Sequence, residues 1–148
     1  MKNNIIILTL IFLLSSCGFT PIYQNNTKAN FSIEQVTYTG DRELNNFLKS
    51  NLSQYKNEKI ENKIYIEANS IFKKIILSKD KVGEATNYQL ETEVIFLIKP
   101  SNKKIKIYEK KIMEIKEDKF EEARYEKTIK QNFASSISNK LVSELIIN

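Results

Sequence analysis

The apolar positions of the chain fall into periodic stretches separated by polar breaks. From Phe31 to Tyr38, Phe31, Ile33 and Val36 face one side with a slip of phase between them, which predicts a strand. "TGD" follows as a break. Over "DRELNNFLKSNLSQYK", Leu44, Phe47, Leu48, Leu52 and Tyr55 recur at helical spacing, with Asp41 as the expected N-cap and Glu43 in the first turn.

Three strand-like runs come next. "NKIYIEANSIFKKIILSKD" alternates through Ile64, Ile66 and Ala68 and then changes phase near Ser70, which predicts a bulge there. "EATNYQLETEVIFLIK" has the clearest alternation: Tyr88, Leu90, Thr92, Val94, Phe96 and Ile98 on one face, Gln89, Glu91 and Glu93 on the other, with Ile95 and Leu97 breaking the polar side. "PSNKK" is a turn. "IKIYEKKIMEIKE" supplies Ile105, Ile107, Met113 and Ile115, with another slip expected between them.

The C-terminal stretch reads as one long helix, capped by Asp118, with Phe120, Ala123, Ile129, Phe133, Ile137, Leu141 and Leu145 on its stripe and no Gly or Pro inside. The order is therefore β-α-β-β-β-α. Short connections between successive strands favour a mostly antiparallel sheet. The expected fold is an α+β sandwich, with two helices packed on one face of a four-stranded sheet.

The start of the chain follows a different rule. Behind Met1 and Lys2, the run "IIILTLIFLL" from Ile5 to Leu14 would make a helix of about 15 Å, short of the roughly 20 residues a membrane span needs. Residues 1–16 read as an export signal and not as part of the fold. The cysteine at its end, Cys17, is the chain's single one, so no disulfide partner exists for it in an oxidising compartment. Leu14-Ser15-Ser16-Cys17 resembles the bacterial lipobox, in which the Cys sulfur is lipidated, the chain is cut before it, and the new amino group is acylated. Gly18 in place of Asp would direct such a lipoprotein to the outer membrane, on its periplasmic side. Residues 17–30 form the lipidated Cys and a tether, and residues 31–148 a single domain.

Composition narrows the chemistry. There is no histidine, which removes His-based acid/base, nucleophile-activating and metal-ligand chemistry. Gly18, Gly40 and Gly83 stand too far apart for a phosphate-cradling loop. The carboxylates Glu91, Glu93, Glu109, Glu114, Glu117, Glu121 and Glu122 lie in charge-alternating stretches that read as solvated faces. A binding or scaffolding role is expected, with no enzyme activity, cofactor or metal. The formal charge of +5 falls to +4 once Lys2 leaves with the signal. That excess is compatible with an anionic partner such as a phosphorylated lipid and is a poor argument for nucleic acid in an exported protein.

The lipobox followed by "CGFTPIY", the β-α-β-β-β-α order, and the long helix with "EEARYEKTIKQNFASSISNKLVSEL" together resemble the LPS-assembly lipoprotein family, LptE. The resemblance covers nearly the whole chain and is sharpest from Cys17 to Tyr23. It implies an outer-membrane lipoprotein that plugs and helps assemble the LptD β-barrel and binds lipopolysaccharide in transit to the cell surface. The chain departs from that pattern in its scarcity of arginine, with only Arg42 and Arg124, so phosphate contacts would fall mainly to lysine.

Tracing strand directions through the expected topology gathers residues 39–41, 78–84 and 116–119 at one end. Lys79, Lys81, Lys116 and Lys119 should meet there beside both helix N-termini, as a candidate lipopolysaccharide-binding site or simply as solvated loop lysines. Lys103, Lys104 and Lys106 form a second cluster at the opposite end. Two other readings share these features: an auxiliary lipoprotein of another envelope lipid transporter, and a structural or inhibitory lipoprotein that binds no lipid.

The lipobox reading makes a direct prediction. Cys17→Ser cannot form the thioether, so the variant should accumulate as an uncleaved or mislocalised precursor. Normal processing and outer-membrane fractionation of that variant would refute lipidation at Cys17.

Overall fold

The computed structural model describes residues 29–147. The segment read as an export signal, Cys17 and most of the expected tether lie outside the described residues, as does Asn148.

The elements follow the expected order: β1 (Ser32–Gly40), α1 (Arg42–Leu52) with a short 3-10 turn (Ser53–Tyr55), β2 (Lys63–Lys79), β3 (Ala85–Lys99), β4 (Lys103–Glu114) and α2 (Lys119–Ile146). The strands lie side by side as β1-β2-β3-β4. β1 is parallel to β2, as a strand joined through a helix must be to keep its connection short, and the other two pairs are antiparallel.

One face of the sheet is apolar, and both helices cover it. Ile64, Ile66 and Ala68 of β2, Leu90, Val94, Phe96 and Ile98 of β3, and Ile105, Ile107 and Met113 of β4 are buried. They meet Leu44, Leu48 and Leu52 of α1 and Ile129, Phe133, Ile137 and Leu141 of α2 in one cluster. Phe96 sits at its middle with no exposed surface, opposite Ala68 on one side and Ile105 on the other.

The irregularities differ from those the sequence predicts. The slip in β1 is real and lies between Ile33 and Gln35. β2, in contrast, passes Ser70 without a bulge, and its register shifts only between Ile76 and Lys79. The apparent change of phase arises because Ile71, Ile75 and Leu77 lie on the outer face, where each stays between 42% and 48% exposed. β4 also keeps one register throughout. Its inner face carries Glu109 and Lys111 between Ile107 and Met113, which resembles a slip when only apolar residues are counted.

β1 ends for a steric reason. Gly40 has φ +95°, and a Cβ added there would sit 1.8 Å from the Ser70 carbonyl oxygen. The close approach lets the Asp41 amide donate to that oxygen at 3.1 Å. The Ser70 hydroxyl donates to the Thr39 carbonyl at 3.2 Å, and Asn45 Nδ2 donates to the same carbonyl at 3.0 Å. Asp41 then caps α1 by accepting from the Leu44 amide at 2.8 Å. The chain turns away at Ser70 while β2 continues to Lys79, about 30 Å further at roughly 3.3 Å per residue. β2, β3 and β4 therefore overhang β1 and α1.

Phe96→Ala should cost about 3–5 kcal/mol, the usual penalty for emptying an enclosed aromatic site. Urea unfolding measures it. A midpoint that barely moves would mean that Phe96 does not face this core.

Candidate functional site

Above the end of β1, α2 is the one helix over the sheet; Leu90 and Met113 are buried there, and around them α2 meets the strands through charges. Glu122, only 6% exposed, accepts from Lys74 at 3.1 Å and from Lys119 at 3.3 Å. Lys74 also donates to Glu126 at 3.0 Å and lies 4.1 Å from the centre of the Tyr88 ring. One turn further along α2, buried Lys130 donates to Glu43 at 3.0 Å, stands 3.8 Å from Glu126, and rests 4.2 Å over the Phe72 ring. The seam joins α1, β2 and α2.

The sequence pattern puts Phe120 and Ala123 on the helix stripe, but both are exposed, and Glu122 takes the inward position. An acid can go there because two lysines neutralise it. Glu109, read from the sequence as solvated, also lies on the inner face, accepting from Lys140 at 2.7 Å and from Ser136 at 2.6 Å.

The far end of the overhang holds the candidate site. The Ile115 amide donates to the Thr86 carbonyl, and Glu114 is level with Asn87, so the turn before α2 lies beside the base of the β2–β3 hairpin. Lys79, Lys81, Lys116 and Lys119 are thus at the same end of the sheet, as expected. The N-terminus of α1 is not there; it lies near Ser70, about 30 Å away by strand length. The α2 N-terminus is there, but Asp118 already satisfies its Phe120 and Glu121 amides at 2.7 and 3.4 Å. Lys119 is committed to Glu122.

Between β4 and the first turns of α2 runs an open groove of about 800 Å³, lined by Ile112, Tyr125 and Thr128 with Glu114, Lys116, Glu121 and Arg124. Arg124 stands 5.9 Å over the Phe120 ring, and Lys111 stands 5.8 Å over Tyr125. Val82, Phe120 and Ile112 are 82%, 70% and 57% exposed, so this end mixes cations with uncovered apolar surface. Asp80 and Glu84 stand among the lysines, and Asp80 is used locally to hold the hairpin turn, accepting from the Val82 and Glu84 amides.

Sequence reasoning passed over Arg124 and Phe120 as members of this site. One signal was available: Arg124 is one of two arginines in a lysine-rich chain.

No family model and no curated protein matches the chain by sequence. Comparison of folds does find relatives. Rare lipoprotein B from Shewanella oneidensis superposes with a TM-score of 0.55 at 12% identity, over 75% of this chain and 92% of that one. Lipoprotein B from Nitrosomonas europaea gives 0.54 at 14% identity, over 80% and 86%. The chain has the fold of these lipoproteins.

The opposite end is built differently. The described chain begins there, since Ser32 is level with Lys63 and Tyr65 with Lys99. Lys99 pairs there with Glu67 at 2.9 Å and Lys103 with Glu144 at 3.7 Å, Lys106 reaches up the sheet to Glu93 at 2.8 Å, and among the described residues no ion pair joins Lys104.

Proton linkage offers a test of the seam. Burial alone would raise the Glu122 carboxyl, but the hydrogen bonds from Lys74 and Lys119 outweigh it and hold it below the ordinary range. Glu109 is lowered in the same way by Lys140 and Ser136. The stability both groups give is complete above the unfolded carboxylate value and is lost as pH falls through their lower folded values. Lys74 acts on the alkaline side. Burial lowers it, yet Glu126 and Glu122 leave it raised above 10.5, so its contribution is lost as pH rises through the folded value. Urea midpoints should hold steady from about pH 7 to 5.5 and drop below that. Glu122→Gln should remove part of that acid slope; an unaltered slope would show that Glu122 carries none of it.

Proposed function

We propose that the chain is an outer-membrane lipoprotein of the LPS-assembly type, anchored through Cys17 and facing the periplasm. It binds lipopolysaccharide at the hairpin end and works with an LptD-type β-barrel, which it plugs and helps to assemble. It catalyses no reaction. The observation that carries the reading is the composition of the hairpin end. Arg124 and Lys116 line the groove with exposed Ile112 and the acids Glu114 and Glu121, and Arg124 stands over exposed Phe120. Lys79, Lys81 and exposed Val82 lie at the same end of the sheet, a mixture of cations with apolar surface that suits a phosphorylated amphiphile. The guanidinium of Arg124 can take two phosphate oxygens at once, and the lysines add point charges. The shared fold of the two lipoproteins supports the lipoprotein part, and the resemblance of "CGFTPIY" supports the family.

The site is tested by reversing Lys79, Lys81, Lys116 and Arg124 to Glu together in the full-length lipoprotein. Lys119 stays, because reversing it would put a second acid against buried Glu122. Lipopolysaccharide binding should weaken by about tenfold or more, equivalent to roughly 1.4 kcal/mol. Folding stability should change little, since exposed charges contribute about 0–1 kcal/mol each. Binding to the unaltered chain should also weaken as salt rises. Unchanged binding by the fourfold variant removes the site. Failure of any heat-modifiable barrel to co-purify with the native lipoprotein removes the barrel partnership and favours a different envelope transporter.

A further inference from the structure

β2 is paired on both sides only as far as Ser70. From Ile71 to Lys79 it has β3 on one side and no strand on the other. The hydrogen bonds on the page show which groups point to the open side. The Ser70 carbonyl accepts from Asp41, so the polar backbone groups of Ser70 are directed toward β1. The Ile71 carbonyl faces β3, where the Thr92 hydroxyl reaches it at 2.9 Å. Alternation along a strand then directs the amides and carbonyls of Phe72, Lys74 and Ile76 to the open edge. Among the described residues, no backbone hydrogen bond from another element reaches these three.

The lysines of this edge and the register shifts between Ile76 and Lys79 turn away an unmatched strand, so a visitor must answer the positive charge. Ile71, Ile75, Ile76 and Leu77 are between 42% and 49% exposed, and the stretch contains no proline. A long apolar edge left this way is a template for another strand unless something covers it. Its charge is one-sided, with Lys73, Lys74 and Lys79 and no acid from residue 71 to 79. Lys74 is used on the inner face by Glu122 and Glu126, so Lys73 and Lys79 remain to be met.

We propose that the 71–79 edge of β2 is a strand-addition site for an extended segment of a partner protein, apolar and acidic in alternation. An extended polypeptide is the occupant that can satisfy a row of alternating amides and carbonyls, and its carboxylates answer the lysines. A second copy of the same edge would add three more lysines and no acid. The described chain enters the sheet at the level of Ser32, and the proposed cut before Cys17 would leave the twelve residues 17–28 ahead of it. About eight of those twelve residues would be spent climbing to the level of Ile71, at roughly 3.3 Å each, which leaves too few to cover the edge. The inference is independent of lipopolysaccharide binding and rests on the proposed cut before Cys17 only in excluding the chain's own leading segment.

The test uses the full-length lipoprotein in detergent and a fluorescent nine-residue peptide alternating valine with glutamate and threonine. The glutamate peptide should bind about tenfold or more tighter than the same peptide with lysine for glutamate. Binding should slow amide exchange at Phe72, Lys74 and Ile76 and leave Ile71, Lys73 and Ile75, already bonded to β3, unchanged. Ile76→Pro deletes one edge-facing donor without touching the β3 ladder and should reduce binding about tenfold. If that variant loses stability, a peptide N-methylated on alternate residues, tested on the native chain, replaces it and should fail to bind. Equal binding of both charge forms, or no protection at the three amides, overturns the proposal. So does protection of those amides in the free chain, which assigns the edge to the chain's own residues, or protection that grows with protein concentration, which assigns it to a second copy.

Discussion

The upper half of this domain depends on one ion seam. Three strands run on after β1 has stopped, and the N-terminal turns of α2 are the part of the helical layer that follows them. Those turns bring no large buried apolar side chain of their own before Ile129. Around buried Leu90 and Met113 of the sheet, they are held by Glu122 between Lys74 and Lys119, Glu126 on Lys74, and Lys130 between α2 and the start of α1. Buried charges of this kind stabilise little relative to an apolar core but cost heavily when one partner is removed, so they fix geometry more than they add stability. Here the geometry fixed is the groove between β4 and α2, with Arg124 and Tyr125 just outside the seam on the same helix turns.

The two ends of the sheet consequently differ in character. At the end where the described chain begins, Lys99 and Lys103 are answered by Glu67 and Glu144, and Lys106 by Glu93 further along the sheet. At the hairpin end, cations stand beside exposed Phe120, Val82 and Ile112. β2 alone is 17 residues long, about 55 Å at 3.3 Å per residue, so these surfaces are well separated. An anchor joined at the first end would leave the second free to meet an amphiphile and a protein partner at a distance from the membrane.

Most of the architecture was legible in the sequence because it rests on periodicity. The alternation of β3 and the i, i+4 leucines of α1 state their buried faces directly, and the parallel first pair follows from tracing strand direction. The misreadings at Ser70 and in β4 have one cause. Apolar residues were assumed to mark the core face, whereas β2 shows Ile71, Ile75 and Leu77 to solvent and β4 turns Glu109 and Lys111 inward. The inward acids are legible only with their partners in place: Lys74 is 48 residues from Glu122, and Lys140 is 31 from Glu109. The overhang was hidden for a related reason. Strand lengths were readable, but where β1 stops against β2 is set by the contact of Gly40 with Ser70, which no single stretch of sequence contains.

The central claim is that the hairpin end, and not the end where the chain enters, receives the phosphorylated lipid. Titrating the isotope-labelled lipoprotein with lipid A in detergent, and following every assigned amide and methyl by NMR, tests it most directly. The account predicts shifts concentrated at Val82, Ile112, Ile115, Phe120 and Arg124, with Ile98, Ile105 and Lys103 to Lys106 unmoved. Shifts confined to the 99–106 end, or spread evenly over the outer sheet face, would contradict it.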